Sequence, residues 1–77
     1  MTDAELRALA QVALRSPRTP VDRLSRRLGD LAEGPATGFF HALDRLWRDG
    51  LVACDDGWHV TEAGWRAIDA TGDGETS

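Results

Sequence analysis

The apolar residues change period at Gly50. Upstream, from Pro35 to Asp49, Phe39, Leu43 and Leu46 recur at helical intervals, with Phe40 and Trp47 one step round. Downstream, Leu51-Val52-Ala53-Cys54 and Trp58-His59-Val60 are short β-prone runs separated by Asp55-Asp56-Gly57. An Asp-Gly pair between two such runs signals a hairpin, because tight hairpin turns need positive φ that Asp and Gly tolerate. A chain of 77 residues has no room for two cores, so helix and hairpin must share one. The expected class is mainly α with a small β-hairpin.

The rest of the chain reads as helices. Thr2 and Glu5 have capping-box spacing, and Leu6, Leu9, Ala10, Ala13 and Leu14 follow on one face; Pro17 ends this first helix near Ser16. Thr19, Pro20 and Asp22 read as N-cap, first helical position and first-turn acid of a second helix. It would bury Val21, Leu24 and Leu28, turn Arg23, Arg26 and Arg27 outward, and stop at Gly29. Asp30 to Gly34 reads as a turn holding at most a short helical piece around Leu31. The third helix is expected over 36–49, and a last one after Thr61 as N-cap, with Ala63, Ala67 and Ile68 toward the core. Trp58 shares a strand face with Val60 and is expected in the core. The domain is expected to span 1–70, with 71–77 as a disordered tail, since that segment is polar and glycine-bearing.

Composition narrows the function. The formal net charge is −4, yet Met1 to Arg48 carries eight arginines against six acids, whereas Asp49 to Ser77 sets Arg66 against seven. A polyanion would therefore have to approach the N-terminal two-thirds. All nine basic residues are arginine. This suits phosphate or carboxylate recognition and equally suits a GC-rich genome. The chain has no apolar run of membrane-spanning length and opens with acids where a signal peptide would carry positive charge, which predicts a cytoplasmic protein. One cysteine, Cys54, permits no internal disulfide, and its combination with Asp56 and His59 is a chance-level metal set. Nothing in the chain pairs a nucleophile with a base, pairs carboxylates for catalysis or forms a glycine-rich phosphate loop. The expectation is a non-enzyme without metal or cofactor.

Three segments carry a resemblance. Thr19-Pro20-Val21-Asp22-Arg23-Leu24-Ser25-Arg26-Arg27-Leu28-Gly29 looks like the first helix of a helix-turn-helix. Phe40-His41-Ala42-Leu43-Asp44-Arg45-Leu46-Trp47-Arg48-Asp49-Gly50-Leu51-Val52 looks like a recognition helix entering a wing. Val60-Thr61-Glu62-Ala63-Gly64 is similar to the segment that closes the wing in PadR-like and MarR-like transcription regulators of bacteria. In order, these resemble a winged helix-turn-helix: three helices, a two-stranded wing and a C-terminal helix. The resemblance implies a transcriptional regulator binding double-stranded DNA, with helix 36–49 in the major groove. It places Thr37 and Gly38 at the start of the recognition helix, His41 and Arg45 on its groove-facing side as base-edge donors, and Arg48 with Arg23, Arg26 and Arg27 at phosphates.

A second reading competes. The wing tip is Asp55-Asp56, which repels phosphate, and Gly38 and Phe40 stand where a DNA reader commonly shows short polar side chains. Trp47 and Trp65 fall at positions that are usually solvent-facing in such a fold, and adjacent Phe39 and Phe40 cannot both occupy the core centre. An exposed indole is a favoured interface anchor. Under this reading Phe40, Trp47 and Trp65 meet a protein partner or a second copy in a homodimer.

Overall fold

The computed structural model describes residues 2–33 and 38–76, with side chains to residue 70. Helix α1 is Asp3–Arg15, α2 is Arg26–Ala32, α3 is Phe39–Arg48 and α4 is Glu62–Thr76. Strands β1, Val52–Cys54, and β2, Trp58–Val60, pair antiparallel between α3 and α4, with Val52 opposite Val60 and Cys54 opposite Trp58. The architecture is mainly helical with one two-stranded sheet, in a helix–wing layout. Among the described residues no helix is long and apolar enough to cross a membrane.

Helix α1 is the centre of the molecule. Leu9, Ala10 and Ala13 are fully buried on it, and Leu28, Ala42, Leu46, Val52, Val60 and Ile68 close around them from every other element. Small residues at 8, 10 and 13 let neighbouring elements approach the α1 backbone, while each buried Leu contributes about 1.5–3 kcal/mol. The Thr2 hydroxyl accepts from the Glu5 amide at 3.2 Å, the N-cap half of a capping box, and donates to the Glu5 carboxylate at 3.0 Å in place of that carboxylate's return bond to the Thr2 amide. Gln11 is polar yet buried. Its Nε2 donates at 3.0 Å to the carbonyl oxygen of Ala32, filling an acceptor that the end of α2 would leave open.

The second helix differs from expectation. Val21–Arg23 form a single 3-10 turn, Leu24 is extended, and α2 starts at Arg26 behind an N-cap at Ser25, whose Oγ accepts from the Leu28 amide at 3.2 Å. Thr19 does not cap it, because its hydroxyl donates at 2.6 Å to the carbonyl of Ala13 in the last turn of α1. The later start resets the helical phase: Leu28 is buried as expected, but Val21 is 82% and Leu24 46% exposed. Gly29 lies inside α2, which continues to Ala32.

Helix α3 starts later than 36. Gly38 is its N-cap at φ +73°, a backbone setting that suits glycine, and residues 34–37 lie outside the described set. The hairpin turns through Asp56 at φ 64° and Gly57 at φ 114°, which is the use the Asp-Gly pair foretells. Thr61 caps α4 as expected, accepting from the Gly64 amide at 3.2 Å while its hydroxyl donates to the Gly50 carbonyl at 2.6 Å. Gly64 packs against the chain entering β1: a Cβ there would overlap the Leu51 carbonyl oxygen and lie 2.6 Å from Val60 Cγ1. Ala63 is exposed and not in the core, because the helix turns Gly64 and Ile68 inward. The α4 backbone is helical to Thr76, six residues past the boundary at 70 that composition suggests.

Candidate interaction surface

A helix turns 100° per residue, so burial of Ala42, Leu43 and Leu46 on α3 sends Phe40, His41, Asp44, Arg45, Trp47 and Arg48 outward. Their chemistry is mixed. Arg48 Nε lies 3.1 Å from Asp44 Oδ2, so the ridge of the helix is an ion pair with no net charge. On one flank stand Phe40, 81% exposed, and Trp47, 54% exposed. On the other, His41 and Arg45 border a groove against the first turn of α1, shared with Thr2, Glu5 and Asp49. Two carboxylates beside Arg45 offset the positive potential that a phosphate would need there.

The helix-two arginines expected at phosphates divide. The Arg23 guanidinium lies 5.5 Å over the Trp65 ring and 3.2 Å from Asp69 Oδ2, and Arg27 Nη2 donates at 3.3 Å to the Ile68 carbonyl. Both therefore hold α4 against the 21–28 segment, and Trp65 is half-buried under Arg23 with its ring against the core. Arg26 is exposed, and its side chain, like those of His41 and Arg45, forms no hydrogen bond or ion pair among the described residues. Thr37 lies outside the described residues, and Gly38 is exposed at the start of α3.

A cleft of about 350 Å³ opens beside Phe40, which the sequence did not disclose. Val12 and Arg15 of α1, Phe39 and Leu43 of α3, and Trp58 of β2 line it. Phe39 and Phe40 meet edge to face with centroids 5.5 Å apart, Phe39 half-buried against the core and Phe40 at the rim. Trp58, expected in the core with Val60, is instead 39% exposed, because the hairpin tip overhangs this cleft and not the closed interior beneath Val60. Arg18 fixes the overhang. Its Nη1 donates at 2.6 Å to the Asp55 carbonyl and lies 3.2 Å from His59 Nδ1. A guanidinium only donates, so Nδ1 is the acceptor side of this contact, and the same nitrogen lies 3.4 Å from the Gly57 carbonyl oxygen. His59 is thus part of the strap between the α1–α2 connection and the hairpin.

No family model, curated protein or solved structure matches the chain.

Proposed function

We infer that the domain is a winged helix-turn-helix turned to protein recognition, docking through the outer flank of α3. The observation that carries this reading is the placement of exposed Phe40 and Trp47 along one flank of α3, with an open aromatic cleft at the Phe40 end. Large exposed aromatics over a concave apolar site are the usual anatomy of an interface centre, since they bury much area with little entropy loss. Electrostatics supports the same reading: the net charge is −4, the wing tip is Asp55-Asp56, and Arg23 and Arg27 are occupied by α4.

Transcriptional regulation through double-stranded DNA is the second reading, favoured by Arg26, His41 and Arg45, whose donors are free among the described residues. A salt series with random-sequence duplex DNA separates the two. Protein recognition predicts no rise in fluorescence anisotropy at low salt. DNA binding predicts a rise that falls along a log–log line in salt with a slope of about −0.9 per phosphate neutralised, and that result would reassign α3 to the major groove.

A further inference from the structure

Phe40 and Trp47 are seven residues apart, which on an α-helix is about 20° short of two full turns and about 10.5 Å of rise. They therefore lie on one line along α3. The cleft borders the Phe40 end of that line, between α1 and the hairpin tip, and the exposed indole stands at the other. A surface that carries both a projecting group and a receptor for such a group, displaced along one helix, is self-complementary under a two-fold axis across the helix midpoint.

We propose that the partner of this surface is a second copy of the chain, with the two α3 helices antiparallel and each Trp47 seated against Phe40 and Trp58 in the other copy's cleft. This rests on the protein-recognition reading and names its occupant. Charge does not oppose the arrangement locally: the axis sets Asp44 opposite the second copy's Asp44, and each carboxylate is already paired at 3.1 Å with its own Arg48, so the edge that each copy brings is neutral. The aromatic groups at 81, 54 and 39% exposure offer about 350 Å² a side, from roughly 150–250 Å² for a whole aromatic side chain. Doubled, this is a little under half of a standard interface of about 1,600 Å², leaving Arg15, Pro17 and the Asp44–Arg48 pairs as rim. An interface of this make-up is concentration-dependent and reversible. It also covers α3, so a copy engaged in it cannot lay that helix in a DNA groove.

Sedimentation equilibrium of the full chain from about 1 to 500 µM tests this. The expected result is a rise in mass from 8.4 kDa toward twice that value. Trp47→Ala and, separately, Phe40→Ala should each weaken the association at least about tenfold. Both residues are exposed, so the variants should keep the wild-type far-ultraviolet circular dichroism, and having two keeps the test intact if one misfolds. Arg26→Ala, away from the proposed contact, should leave the association unchanged. A chain monomeric at 500 µM, or a dimer indifferent to both aromatic substitutions, would overturn the proposal. A monomer that cross-links to a different protein through position 47 overturns only the homodimer; a monomer that binds random duplex DNA overturns the protein-recognition reading as well.

Discussion

The guanidinium of Arg23 covers the indole of Trp65 at 5.5 Å, joining the 3-10 turn to a helix more than forty residues away. Its ion pair with Asp69 is solvent-exposed on both sides, so screening leaves it close to zero net worth, while the stacked contact is worth about 0.5–1 kcal/mol. Arg23→Ala should therefore lower the unfolding free energy from urea titration by that amount, and Asp69→Asn should barely move it. Equal losses from the two variants would show that the ion pair, and not the indole cover, holds α4.

Gly64 approaches the Leu51 carbonyl too closely for any side chain. Gly64→Ala should destabilise the fold by about 1–3 kcal/mol, even though alanine is the better helix former, because the α4–β1 contact must open. Thermal unfolding reads this directly; an unchanged or raised midpoint would refute the close approach.

Two hydroxyls differ in direction, and one substitution tells them apart. Ser25 accepts from an amide, so Ser25→Asp should be tolerated and Ser25→Ala should cost about 1 kcal/mol. Thr19 donates to a carbonyl, so Thr19→Asp places an acceptor-only carboxylate against an acceptor and should be worse than Thr19→Ala at neutral pH. Denaturant midpoints of the four variants check the pattern; a well-tolerated Thr19→Asp would move the helix start back to Thr19.

Arg18 straps the hairpin tip through the Asp55 carbonyl and His59. Arg18→Ala should speed amide hydrogen exchange at 55–59 while leaving the slow amides of α1 unchanged, since the strap is exposed and the core lies elsewhere. Unchanged exchange in the hairpin would show that the sheet pairing alone holds the tip.

Local signals made α1, α3 and the hairpin legible. Thr2 with Glu5, the apolar stripe around Leu9, and Asp56-Gly57 each act within a few residues, and the structure uses them as their spacing suggests. The start of α2 was not legible, because Thr19-Pro20 carries a genuine start signal that a tertiary bond to Ala13 diverts. Likewise, nothing local tells Arg23 and Arg27 to face α4 instead of solvent: their partners Trp65, Ile68 and Asp69 are more than forty residues away. Trp58 obeyed strand alternation, sharing a side with Val60, but alternation cannot say where the core stops beneath a hairpin. The surplus of exposed aromatics was readable from Phe40 and Trp47; the cleft beside them required the fold.

Whether the outer flank of α3 meets protein is decided by placing a photo-crosslinking benzophenone side chain at position 47 and irradiating intact cells of the source organism. The expected result is discrete protein adducts that disappear when Phe40→Ala is combined with the label. Adducts to nucleic acid, with no protein adduct, would contradict it.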